Sequence, residues 1–300
     1  MTQRTKDFLD ISDVEEKDLR HILEFAKKMK SDLKSGIINK ILEGKQLAMI
    51  FEKESTRTRV SFEVGINQLG GNAIFISGSH SQIGRGEPIK DTANVLSRYV
   101  DIIMIRTYKH EGLLELAENA SVPVINGLTD YSHPCQIMAD ILTIEEHLGD
   151  IKNQRIAWLG DYNNVCRSWI QAANKFGFEL NISFPTKFKY ENFESEFVKY
   201  YENPKDAVQN ANVITTDTWV SMGENEDNIE KKRILKPYQV NEEIFALANK
   251  NAIFLHCLPA HRGEEVTSEI IDGEKSVIYD EAENRLHIQK SIMVWCCGLI

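Results

Sequence analysis

At 300 residues, with 42% hydrophobic and 27% charged side chains, the chain has room for two domains of ordinary size or one large one and the make-up of a soluble globular protein. A net charge of −10 argues against a nucleic-acid or acidic-membrane partner. No apolar run reaches the roughly 18 residues that a membrane span needs, and residues 1–10 lack the apolar core of an export signal. Cys135, Cys166, Cys257, Cys296 and Cys297 are an odd set without such a signal, which predicts reduced thiols and a cytoplasmic protein.

Ser12-Asp13-Val14-Glu15 reads as a capping box opening a helix to about Lys30, with Leu19, Ile22, Leu23 and Ala26 on one face. A strand follows at 45–51. Ser55 then stands where a helix N-cap belongs, and Phe62, Ile66 and Leu69 recur at helical spacing up to Gly70-Gly71. The turn between strand and helix is Ser55-Thr56-Arg57-Thr58-Arg59. Free N–H groups and the positive end of the helix dipole favour an anion there. The three hydroxyls add donors, and Arg57 or Arg59 can grip two phosphate oxygens at once. A capped surface helix with an ordinary basic turn is the plainer alternative.

A strand is expected at 72–76, then a polar loop at 77–88 carrying Gln82, Arg85 and Glu87, long enough to be a lid or binding loop. After a helix at 91–99, the buried strand 101–106 ends on Arg106. Ligands of open α/β sheets bind at the carboxyl ends of strands, which makes Arg106 a second candidate anion ligand converging with the Ser55 turn, with a surface arginine just past a strand as the plainer alternative. A helix at 111–119 and a strand at 122–126 lead to His133-Pro134-Cys135-Gln136. Pro134 takes the first position of a helix whose stripe is Cys135, Met138, Ala139 and Leu142. His133 and Gln136 share one side of its mouth. They read either as donors to a carbonyl-like group or as capping polars.

After Gly149-Asp150 the rhythm restarts, with a strand at 155–159, the turn Gly160-Asp161-Tyr162-Asn163-Asn164 and a helix to Phe176. A strand at 180–184, a polar helical region and a third strand at 212–216 follow. Such alternation predicts a second parallel-sheet domain. The glycine spacing of a dinucleotide turn is absent, which excludes a nicotinamide cofactor. Asp217-Thr218-Trp219-Val220-Ser221-Met222-Gly223 sits at the end of that third strand, and 224–232 is polar enough for a mobile loop. A strand at 251–256 delivers His256-Cys257-Leu258-Pro259-Ala260-His261-Arg262-Gly263, and 281–297 is a helix with Ile288, Ile292 and Trp295 as its apolar side. His256, Cys257 and His261 lack the second ligand pair of a zinc site, so no metal is expected. Adjacent strand residues point to opposite sides, which makes His256 a poor base for Cys257 and leaves a buried, inert thiol as the alternative there.

Taken together, these motifs resemble the aspartate/ornithine carbamoyltransferase family over nearly the whole chain. The residues that carry the resemblance are Ser55-Thr56-Arg57-Thr58-Arg59, Gln82, Arg106-Thr107, His133-Pro134-Cys135-Gln136 and Asn163-Asn164, followed by the stretches 217–223 and 256–263 and Glu283-Asn284-Arg285. Within the family, the 217–223 and His256-Cys257-Leu258-Pro259 pieces select ornithine over aspartate. An aspartate enzyme would bring a lysine into the loop after residue 77, where this chain has Gln82 and keeps Lys90 outside. Glu54 stands where many relatives carry proline, which touches the turn's rigidity rather than its chemistry.

The resemblance implies an α/β fold of two doubly wound parallel-sheet domains joined by helices. Residues 1–147 would bind carbamoyl phosphate, with the C-terminal helix 284–300 returning to them, and 148–283 would bind L-ornithine. It implies no metal or organic cofactor, and a homotrimer with active sites between subunits, higher assembly being left open. Ser55, Thr56, Arg57 and Thr58 would hold the phosphate, with Gln82 reaching in from a neighbouring subunit. Arg106, His133, Gln136, Arg285 and the backbone at Cys257 and Leu258 would stabilise the charge that builds on the carbonyl. Asn164 and the Met222 backbone would take the ornithine carboxylate, and Asp217 and Ser221 its α-amino group. Asp217 and Cys257 would assist proton loss from the δ-amine. The expected reaction gives citrulline and phosphate. Carbamoyl transfer to another amine such as putrescine, or a non-catalytic carbamoyl phosphate-binding relative, are the competing expectations.

Overall fold

The computed structural model describes residues 6–78, 86–189, 192–220 and 228–300. The chain divides into two compact units, Met1–Ala139 with Glu283–Ile300, and Asp140–Ala282. Among the described residues, no helix is long and apolar enough to cross a membrane.

The first unit begins with α1 (Glu16–Lys34). No capping box starts it: Asp10 accepts from the Ile11 N–H and closes a short 3-10 turn over Ile11–Asp13, which draws Ser12 into that turn. The helix therefore starts late, from Glu15, which makes no side-chain cap. Next come β1 (Gln46–Phe51), α2 (Thr56–Gln68), β2 (Asn72–Ser77), α3 (Ile89–Leu96), β3 (Ile102–Arg106), α4 (His110–Asn119), β4 (Val124–Leu128) and α5 (Pro134–Leu148). The sheet order is β2-β1-β3-β4, all parallel. β3 and β4 are buried along their whole length, and β3 reads as an apolar run up to Arg106, as parallel strands covered on both faces do. β2, at the edge, is half exposed. Ala48, Ile50, Ile103, Ile105 and Val124 pack on one face with Leu113 and Leu116 of α4.

The chain order reverses between β1 and β3, and their register pairs Phe51 with Arg106. Carboxyl ends at such a switch point form the crevice where ligands bind in open α/β sheets. The Ser55 turn and Arg106 therefore share one edge by topology alone.

In the second unit, β5 (Arg155–Leu159), α6 (Asn164–Phe176) and β6 (Glu179–Ser183) follow the expected rhythm. Where a polar helical region is expected, the chain instead forms a strand, β7 (Val198–Tyr201), and only then a short helix, α7 (Pro204–Ala207). Among the described residues, β7 pairs with β6 alone and buries one residue fully, so its polar residues suit an edge. β8 (Val213–Thr216) is thus the fourth strand of this unit, not the third. Of the stretch 224–232 expected to be a loop, 224–227 lie outside the described residues and the last four residues open α8 (Ile229–Leu235), with Asn228 capping it. α9 (Glu242–Phe245), β9 (Ile253–His256) and α10 (Ser268–Ile271) follow, and α11 (Ile278–Cys296), which from Glu283 onward belongs to the first unit, completes the chain. The sheet order is β7-β6-β5-β8-β9, again all parallel, with its switch point between β5 and β8. Thr216 pairs with His256, so β8 and β9 end side by side and bring Asp217 and Cys257 to one edge.

Candidate active site

In the first unit the site is built on the N-terminus of α2. Ser55 Oγ accepts from the Thr58 N–H at 3.2 Å and caps the helix. Thr56 and Arg57 lie exposed on the first turn, while Thr58 faces inward and is buried. Thr58 Oγ1 accepts from Arg106 Nη1 at 3.2 Å, at the end of β3, and from Arg285 Nη2 at 3.2 Å, on α11. The other arm of Arg285 donates to Gln136 Oε1 on α5. One buried network thus ties Thr58, Arg106, Gln136 and Arg285 from four elements.

His133 precedes α5 and is buried beside these cations. Burial pushes its pKa well below the usual histidine value, and the charges of Arg285, Arg106, Lys53 and Arg57 push it further the same way. The imidazole is therefore neutral at physiological pH and offers a neutral N–H donor. Four cations around one neutral ring also define a strongly positive pocket, which suits an anion of more than one charge.

Arg59 does not take part. Its guanidinium stacks over Phe75 at 3.9 Å and lies 3.6 Å from Glu63. Two residues along a helix are about 200° apart, so Arg57 and Arg59 cannot both face the same ligand. Lys53 carries no role in the motif reading, yet it is buried, with its Nζ 3.1 Å from Asp130 Oδ1 and 5.2 Å from the Tyr108 ring. Its position in the Phe51–Ser55 connection is the only sequence signal for it.

In the second unit, Asp217 follows β8 directly. Its Oδ1 accepts from the Thr218 N–H at 2.8 Å and from Cys257 Sγ at 3.2 Å, and its Oδ2 accepts from Asn163 Nδ2 at 2.8 Å. Asn163 is the N-cap of α6 and Asn164 its first residue. Gly160, just after β5, has φ +128, and a Cβ there would lie 3.1 Å from Thr216 Oγ1. Only glycine lets the chain turn at that point so close to β8.

Burial raises the Cys257 pKa well above the ordinary thiol value, and the negative charges of Asp217 and Glu281 add to it. The thiol is protonated and donates to Asp217, so it is neither a nucleophile nor a base in this state. The next residue, Leu258, has φ +59, and its N–H donates to His256 Nδ1 at 2.9 Å. Nδ1 is thus an acceptor, which places the imidazole proton on Nε2, 3.2 Å from Glu265 Oε1. Glu281 Oε2 accepts the His256 backbone N–H at 2.8 Å. This scaffold holds the Cys257-Leu258 backbone in a left-handed turn that a leucine would not choose alone.

Among the described residues, Asp217, His256 and Cys257 bring ligand-type atoms within 4.8 Å of one another, as do His261, Glu264 and Glu265. In the first set both imidazole nitrogens are already engaged and the thiol keeps its proton. In the second, Glu265 Oε1 already accepts from the His261 N–H at 2.6 Å and faces His256. The first set therefore has no free nitrogen or thiolate to offer an ion, whereas Glu264 Oε2 and Glu265 Oε2 in the second are buried without a hydrogen-bond partner among the described residues.

The structure brings together Thr58, Arg106, His133, Gln136 and Arg285 in one unit, and Asp217, Cys257 and Leu258 with Asn163 in the other. Ser55 caps the helix end, where Thr56 and Arg57 lie exposed on the first turn. Gln82, Ser221 and Met222 lie outside the described residues.

Residues 6–146 match the family model described as "Aspartate/ornithine carbamoyltransferase, carbamoyl-P binding domain", and residues 152–296 match "Aspartate/ornithine carbamoyltransferase, Asp/Orn binding domain". The chain is 54% identical over 301 residues to an ornithine carbamoyltransferase of Rhodopseudomonas palustris, covering 98% of this chain and 97% of that one. It is 55% identical over 303 residues to one of Agrobacterium fabrum, covering 98% and 99%. Among solved structures, ornithine carbamoyltransferase from Pyrococcus furiosus superposes with a TM-score of 0.95 at 44% identity, over 100% of this chain and 99% of that one.

Proposed function

We infer a single reaction for these two sites from the premise that this chain belongs to the aspartate/ornithine carbamoyltransferase family. The protein is an enzyme that transfers the carbamoyl group of carbamoyl phosphate to the δ-amine of L-ornithine, giving L-citrulline and phosphate in arginine metabolism. The observation that carries the site assignment is the Thr58 node, where two buried guanidinium groups meet one hydroxyl at a helix N-terminus.

Ser55, Thr56, Arg57 and Thr58 take the phosphate, whose charge matches the cations around His133. Arg106, Gln136, Arg285 and the neutral His133 donate to the carbonyl oxygen, and the backbone at Cys257 and Leu258 completes this set for the tetrahedral transition state. Asn164 and the Met222 backbone hold the ornithine carboxylate, and Asp217 and Ser221 its α-amino group. Gln82 comes from a neighbouring subunit of a homotrimer. A cytoplasmic location fits five cysteines of which none is in a disulfide.

The δ-amine has an ordinary pKa of about 10 and must shed a proton before it can attack. Cys257 already carries its proton and points it at Asp217, so Asp217 is the acceptor and Cys257 orients it. The nitrogen lone pair then bonds to the carbamoyl carbon and the carbon–oxygen bond to phosphate breaks. The second amine proton leaves on the phosphate.

An initial-rate assay with the amine varied tests these roles. Ornithine should support turnover, while putrescine, aspartate and N-acetylornithine should not. Product from putrescine, which has no α-carboxylate or α-amino group, would remove Asn164 and Asp217 from their assigned contacts.

A further inference from the structure

We propose that Asn163 is a positioning residue: it caps α6 and, with the same amide, fixes the Asp217 carboxylate that receives the amino groups of the acceptor substrate. The proposal rests on the reading of Asp217 as an ornithine ligand and names the residue that orients it.

The amide orientation follows from its partners. Asn163 Oδ1 accepts from the Val165 N–H and the Cys166 N–H, both at 3.0 Å. Turning the amide over would set its NH2 against two backbone donors and its oxygen against a carboxylate, so the assignment is unambiguous. The NH2 edge therefore faces Asp217 Oδ2 at 2.8 Å. Among the described residues, three donors then set the carboxylate plane: Asn163 on Oδ2, and the Thr218 N–H with Cys257 Sγ on Oδ1. They come from the start of α6, the end of β8 and the end of β9. Without the Oδ2 partner the carboxyl group can rotate about its terminal torsion, whose minimum is broad. An ammonium group would then meet a carboxylate that must be ordered during binding, and that ordering costs affinity.

Asparagine is the one small side chain suited to both tasks. Aspartate and serine are good N-caps, but aspartate cannot donate and serine does not reach Asp217. A residue that only caps the helix would tolerate either change. A residue that also orients Asp217 would not.

The experiment compares wild type, N163S and N163D by steady-state citrulline formation with each substrate varied, alongside thermal unfolding and direct carbamoyl phosphate binding. Both variants keep the cap and should unfold within a few degrees of wild type. The ornithine KM should rise about tenfold or more in N163S, the size expected for a lost hydrogen bond to a charged group, and further in N163D, where two carboxylates face each other. Carbamoyl phosphate affinity should stay within about twofold. An unchanged ornithine KM in a folded N163S or N163D protein overturns the proposal, as does an equal loss for both substrates. Absence of citrulline from wild type would instead remove the functional reading beneath it.

Discussion

Thr58 is the residue on which the first unit turns. Its hydroxyl accepts from both Arg106 and Arg285, so two cations that would otherwise repel are held at one acceptor. Thr58→Val keeps the shape and removes that acceptor. The expected result is a loss of about ten- to a hundredfold in carbamoyl phosphate affinity with little change in ornithine KM, measured by calorimetry and initial rates. Cys257 yields a second expectation at this scale. Because burial and nearby carboxylates keep its thiol protonated, alkylation by iodoacetamide at Cys257 should stay slow at pH 7 to 8 and rise only above the usual thiol range. Fast labelling at pH 7 would place a thiolate there and reopen Cys257 as the base. Cys257→Ala should lower turnover more than carbamoyl phosphate binding.

Arg57 and Arg59 mark where sequence reading stops at residue scale. The sequence puts both in the turn and helical phase sets them on different sides, but only the fold shows that the side of Arg59 meets Phe75. Asn163 and Asn164 pose the same difficulty. Two adjacent asparagines are equivalent on paper, and only the backbone shows that the first caps α6 and donates to Asp217. Lys53, between Glu52 and Glu54, reads as surface charge until the fold buries it.

At the scale of elements, most of the fold was legible because buried parallel strands announce themselves as unbroken apolar runs, as β3 does. β7 was not, since an edge strand of four residues with Lys199 and Tyr200 in it carries no such run. The N-terminal capping box failed for a local reason, because Asp10 closes an earlier turn.

The helix α11 carries a testable electrostatic burden. His287 is buried, and burial, with the charges of Lys290 and Lys30, holds its pKa down at about 4 from the ordinary 6.5, against the opposite pull of Glu283. Below pH 6.5 the unfolded chain binds a proton that the fold refuses. Stability should therefore fall as the pH drops from 6.5 towards 4, by up to about 1.4 kcal/mol per pH unit for this group. His133 acts in the same direction. Thermal unfolding of H287Q across pH 7 to 4.5 should show a shallower decline than wild type, and parallel slopes would contradict this.

For the whole molecule, one surface of the first unit bears on assembly. Val60 and Val64 on α2, with Phe75 on β2, are between 38% and 52% exposed. Apolar exposure beside the proposed phosphate-binding turn fits the proposed homotrimer. Light scattering should give three times the 34.3 kDa of one chain, and Val64→Glu should reduce it. A wild-type monomer with full activity would dispose of the shared-site proposal.

The central claim is that one chain binds carbamoyl phosphate through the Thr58 network and passes its carbamoyl group to ornithine held at Asp217. Carbon-13 NMR with carbonyl-labelled carbamoyl phosphate and ornithine follows that group directly. The label should move into the ureido carbon of citrulline, one equivalent for each phosphate released. Label that ends in carbonate or cyanate while ornithine stays unchanged would contradict it.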